Sequence, residues 1–153
     1  MEVMTVKTLI EQKAHKLITK YSTRDPFEIA EHLGIKVMLE DLGEISGYYN
    51  TAYRLRMIHI NCNLDDPMRA FTAAHELGHA VLHAKSNTAF LRQKTYFSID
   101  KFELQANQFA AALLISDCDI RDHAHLTSEQ FSRMLGYPKT LVDIRLEQYK
   151  TKK

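Results

Sequence analysis

His75 and His79 stand four residues apart with Glu76 beside the first of them, in the run His75-Glu76-Leu77-Gly78-His79. On an α-helix that spacing places both imidazoles on one face, one turn apart. The H-E-x-x-H pattern lets two histidines converge on one cation while the carboxylate between them stands to the side, within reach of a water. The flanks are helical. Asp66 and Pro67 read as a capped helix start, and Phe71, Ala74, Leu77, Gly78, Val81 and Leu82 form an apolar stripe, so a helix is expected to about Ala84.

Zinc is the expected ion, because it takes neutral imidazole nitrogen readily and keeps a position open for water when three protein groups hold it. The third group is not supplied by the same helix. His83 extends the face by a further turn, and three consecutive turns of a straight helix are too long to close on one ion. The extended pattern H-E-x-x-H-x-x-G-x-x-H also fails, since Leu82 and Lys85 fill its glycine and last histidine positions. A carboxylate from elsewhere is required. Glu103 is the candidate, lying in the first turn of a second strong helical stripe made of Phe102, Ala106, Phe109, Ala110, Leu113 and Leu114. Asn107, one turn on, is expected to orient Glu103 or the neighbouring backbone from the outer layer of the site.

These pieces together resemble the ImmA/IrrE family of metallo-endopeptidases. The resemblance rests on Ile60 and Asn61 closing a strand, on the run from Phe71 to His83, on Glu103, Ala106, Asn107, Phe109, Ala110, Leu113 and Leu114, and on Leu141 to Leu146. One departure is visible: Ile115 and Ser116 stand where members of the family often carry Met-Pro. The resemblance implies that His75, His79 and Glu103 bind zinc and that Glu76 is the catalytic base. It further implies cleavage of a helix-turn-helix repressor of a prophage or mobile element, and a zincin-like α+β fold.

The rest of the chain reads as one α+β domain over residues 1–153. Residues 1–34 supply two helices, 35–114 the sheet and the two site helices, and 115–153 the closing helices. Val6 to Tyr21 is amphipathic, and Asp25-Pro26-Phe27-Glu28 opens a short helix that Gly34 stops. Ile35 to Leu39, Ile45 to Tyr49 and Leu55 to Asn61 predict a three-stranded antiparallel sheet beside the metal-binding helix, with a turn at Asn50 to Ala52. The segment Met57 to Asn61, leading into that helix, is expected to offer an edge to an extended substrate. Gly78, costly in mid-helix, implies a close neighbour.

Composition narrows the function classes. A formal charge of +1 does not provide the clustered basic surface that broad capture of nucleic acid or anionic lipid requires. The longest apolar run, Phe109 to Ile115, is seven residues, too short to span a bilayer. No uninterrupted apolar stretch opens the chain as an export signal does, so a cytoplasmic location is expected, with Cys62 and Cys118 as free thiols. Four tyrosines, Tyr48, Tyr49, Tyr53 and Tyr96, are candidates for stabilising an oxyanion. His59 on its strand, and His123 and His125 in a polar connection, read as surface residues. The polar stretch 85–100 reads as a lid or a wall.

One rival reading concerns the tail. Thr127 to Leu146 spells helix, glycine-containing turn, helix, and Lys139 to Lys153 carries five basic against two acidic residues, as in a DNA-binding or protein-binding regulator with a zinc site that is not proteolytic. Asp143 and Glu147 interrupt that basic face, while Leu141, Val142, Ile144 and Leu146 have the pattern of packing residues.

Overall fold

Local capping chemistry sets the helix starts in the computed structural model of the chain, which describes residues 5–83 and 96–151. Thr5 caps α1 (Val6–Tyr21), and the Asp25 carboxylate accepts from the Phe27 amide at 2.9 Å to open α2 (Pro26–His32). Helix α3 (Asp66–Leu82) is capped by Asp65, whose carboxylate accepts from the Met68 amide at 3.0 Å, so Asp66 and Pro67 form its first turn. Reciprocal capping boxes start α5 (Asp117–Asp122) at Ser116 and α6 (Ser128–Leu135) at Thr127. Helix α4 (Tyr96–Leu114) begins earlier than its apolar stripe, and α7 (Lys139–Thr151) closes the chain.

The sheet contains β1 (Ile35–Glu40), β2 (Gly47–Ala52) and β3 (Leu55–Asn61) in the order β1-β3-β2. The α+β class stands, but the sheet is mixed, not wholly antiparallel as expected. β2 pairs antiparallel with β3, whereas β1 runs parallel to it, from Ile35 opposite Arg56 to Glu40 opposite Asn61. Three strands that alternate in direction make an all-antiparallel sheet only if the second lies in the middle. Here the third does, because its Ile58 and Ile60 are fully buried and the more polar Gly-Tyr-Tyr-Asn-Thr-Ala of β2 suits an edge.

Two further expectations change with this order. β3 is paired on both sides, so Met57 to Asn61 offers no open edge; the free edge beside α3 belongs to β2. The β2–β3 hairpin turns at Tyr53 and Arg54, both at positive φ (52° and 67°), and Asn50 to Ala52 are strand. Such a two-residue turn favours Asn and Gly, so these side chains gave no turn signal.

The main core joins α1, α2, the inner face of the sheet, α3 and α4, around Ile29, Ile58, Ile60, Leu77, Phe109 and Leu113, all fully buried. Arg24 donates to the carbonyls of Ala112 and Leu113 at 3.1 Å each, tying the segment after α1 to the end of α4. A smaller cluster of Ile115, Ile120, Phe131 and Val142 anchors the tail. There Arg145, only 4% exposed, donates from Nε to the Ile115 carbonyl at 2.7 Å and pairs with Asp117. The tail helix therefore packs inward through Leu141, Val142 and Arg145, and one of its basic residues is spent on the fold.

Helix α3 leans on the sheet at Gly47, where a Cβ would sit 2.5 Å from the His59 carbonyl oxygen and 2.6 Å from Thr72 Cγ2. Gly47→Ala is expected to destabilise the chain by about 1–3 kcal/mol, the range for overpacked sites. A lowered denaturation midpoint checks this, and an unchanged midpoint would show that the contact relaxes without cost.

Candidate metal centre

Helices α3 and α4 pack closely at Gly78. A Cβ there would lie 3.2 Å from the Ala106 Cα and carbonyl oxygen and equally near the Phe109 ring. The absent side chain is thus what lets α4 approach, as the mid-helix glycine implied. Ala106 lies between Glu103 and Asn107 on α4, so this approach sets both against the imidazoles of α3.

The three expected ligands come together. His75 Nε2 lies 3.0 Å from Glu103 Oε2, and His79 Nε2 lies 3.0 Å from Glu103 Oε1. Among the described residues, His75, His79 and Glu103 form the group able to hold a metal ion, with one ligand atom from each within 4.8 Å of the others. Four-coordinate zinc, with bonds of about 2.0–2.2 Å, separates its ligand atoms by about 3.3 Å; the two Nε2–carboxylate distances of 3.0 Å are close to this, and the wider spread of 4.8 Å would have to contract around an ion. Two imidazoles and a carboxylate are also the donor set of a zinc site that retains an open position. The residues fit the ion. Exposure is graded, with the His79 side chain 2% exposed and that of Glu103 34%, so the site opens to solvent on the carboxylate side.

Asn107 meets His75, not Glu103 or the backbone as expected: its Oδ1 accepts from His75 Nδ1 at 2.7 Å, which turns Nε2 toward Glu103. Burial alone would lower the His75 pKa, but the Glu103 hydrogen bond and the charges of Glu76 and Glu103 outweigh it and hold the imidazole above its ordinary value. Burial of Glu103 acts upward on its carboxyl, and the hydrogen bonds and charges of His75 and His79 reverse this, holding it well below the usual carboxylate range. Glu76 is buried and lies outside the converging trio, yet near enough for its charge to act on His75.

Other residues singled out by the sequence go elsewhere. His83 is not in the trio; it is buried, with Nδ1 3.0 Å from His79 Nδ1 and Nε2 2.8 Å from Gln105 Oε1. Its i, i+4 spacing from His79 could have revealed that pairing, but nothing in the sequence pointed to Gln105. His59, expected at the surface, is 7% exposed: the central position of β3 lets Glu40 and Asn50 from the flanking strands close on its ring at 3.0 Å each. Tyr48 stacks on that ring, Tyr49 packs against the main core, and Tyr53 is 98% exposed at the hairpin tip. The Tyr96 side chain and most of the stretch 85–100 lie outside the described residues. His123 is half-buried, with Nδ1 donating to the Asp119 carbonyl at 2.8 Å, and His125 is exposed.

The family model described as the IrrE N-terminal-like domain, a peptidase family, matches residues 30–147. The chain belongs to this family. It is 39% identical over 150 residues, covering 93% of the chain and 95% of the relative, to "Uncharacterized immunity region protein 2" of Bacillus phage phi105. It is 30% identical over 145 residues, 91% of the chain and 85% of the relative, to "Metallopeptidase ImmA" of Bacillus subtilis strain 168. Among solved structures, a Mycobacterium tuberculosis transcriptional regulator superposes with a TM-score of 0.60 at 17% identity, over 90% of this chain. That likeness is one of fold, and the chain spans 46% of the regulator's length.

Asn107→Ala is expected to weaken metal binding by about 10–100-fold, the usual effect of losing a ligand's orienting partner. Competition with a chelator measures this, with the circular dichroism spectrum unchanged; an unaltered affinity would remove Asn107 from the site.

Proposed function

We propose that the chain is a zinc-dependent endopeptidase whose metal is held by His75, His79 and Glu103 and whose base is Glu76. The convergence of two imidazole Nε2 atoms on the two oxygens of one carboxylate carries this reading. Bound there, zinc supplies Lewis acidity to a scissile carbonyl and to the attacking water. Glu76, adjacent to His75 but outside the ligand set, accepts the proton of that water as it attacks and delivers it to the departing amine. A purely structural zinc site has no use for such a carboxylate. Asn107 holds His75 in place, and the open edge of β2 is the strand to which an extended peptide could pair.

The proposed substrate is a helix-turn-helix repressor of a prophage or mobile element, cleaved in the cytoplasm. Its support is the family together with the immunity-region protein of a phage and the metallopeptidase ImmA among the relatives. No described helix is long and apolar enough to cross a membrane. The inward packing of Leu141, Val142 and Arg145 favours a structural role for the tail over the DNA-binding reading.

Glu76→Gln is expected to keep the metal and lose about 10²–10⁴-fold in turnover. The assay incubates the purified chain with the repressor of the same genetic element and identifies fragments by mass spectrometry. Cleavage at the wild-type rate by the variant would exclude Glu76 as the base, and salt-dependent DNA binding by an inactive wild type would favour the regulator reading.

A further inference from the structure

His79 is 2% exposed and His83 is 5% exposed, so each ring nitrogen must find its partner within the protein. Their Nδ1 atoms face each other at 3.0 Å. For two neutral rings, such a contact is a hydrogen bond only if one of the two nitrogens carries a proton and the other does not. The far ends of the pair decide which. His83 Nε2 meets Gln105 Oε1 at 2.8 Å, and a carbonyl oxygen can only accept, so the His83 proton sits on Nε2 and its Nδ1 is bare. His79 then donates from Nδ1 and its Nε2 is bare when an ion is bound; without an ion, the 3.0 Å contact of Nε2 with Glu103 Oε1 is a hydrogen bond only if Nε2 carries a proton as well.

We infer that His83 and Gln105 form a relay that fixes His79 as the Nδ1–H tautomer and so keeps its Nε2 available to the metal. His83 is a positioning residue, acting through His79 and touching neither metal nor substrate. The reverse arrangement, with a proton on His83 Nδ1, would put the His79 proton on Nε2, at the ligand position itself. The ring of Phe102, centred 4.2 Å from that of His83, holds the relay from the α4 side. The two imidazole ligands are thus oriented by different means, His75 by one amide from Asn107 and His79 through a second imidazole and an amide. The inference rests on the metal site proposed above.

The test uses the full chain loaded with zinc and labelled with ¹⁵N-histidine. Long-range proton–nitrogen correlation is expected to show His79 protonated at Nδ1, and His83 protonated at Nε2 with Nδ1 bare. In parallel, zinc affinity is measured by chelator competition for wild type, His83→Leu and His83→Asn, each first shown to be folded by circular dichroism. His83→Leu leaves the His79 donor buried without an acceptor and is expected to weaken zinc binding by about 10–100-fold. His83→Asn restores an acceptor near the position of Nδ1 and is expected to recover most of that loss. A proton on His83 Nδ1, an affinity unchanged in His83→Leu, or a loss that Asn does not repair would overturn the relay while leaving the zinc site standing. A folded wild type that binds no zinc would overturn both. Should His83→Leu fail to fold, the tautomers read in the wild type decide the question alone.

Discussion

The close approach of α3 and α4 at Gly78 governs this molecule. A histidine pair on one helix is two-thirds of a metal site, and the rest must come from a second helix near enough for a carboxylate to reach between the rings. A Cβ at position 78 would lie 3.2 Å from the Ala106 backbone, so the two helices would have to part by a few tenths of an ångström to admit it. Alanine at 106 and glycine at 78 therefore form one device, placing Glu103 and Asn107 against the two imidazoles. The buried faces that hold this register, Leu77 on α3 and Phe109, Ala110 and Leu113 on α4, belong to the main core, so site geometry and fold stability share the same contacts.

Electrostatics follows from that placement. A carboxylate drawn between two imidazoles is stabilised in its charged form, and His75 is pulled toward protonation by the same neighbour together with Glu76. The outer contacts from Asn107 to His75 and from His83 to His79 leave both Nε2 atoms facing the Glu103 carboxylate, where the proposed ion would sit. The graded burial, deepest at His79 and shallowest at Glu103, leaves access from one side, which suits a site that must admit a peptide.

Much of the site was legible in the sequence because helical spacing is rigid. A four-residue spacing between histidines determines their relative position within one element, and the Phe102 to Leu114 stripe oriented the next helix well enough to single out Glu103 and Asn107. The sheet was less legible, since strand order depends on which strand the core buries most deeply and not on local preference. That is why β3 took the centre, why β1 became parallel to it, and why His59 is enclosed. The hairpin at Tyr53 and Arg54 carries none of the residues that ordinarily mark such a turn. Gln105 was out of reach for another reason, because its role appears only once the rotation of α4 against α3 is known.

Metal content tests the central claim most directly. Elemental analysis of the purified wild type beside Glu103→Ala is expected to give about one zinc per chain for the first, as a site with three protein ligands requires, and a clear loss for the second. A folded wild type without zinc, or full retention by Glu103→Ala, would contradict the three-ligand site on which the account stands.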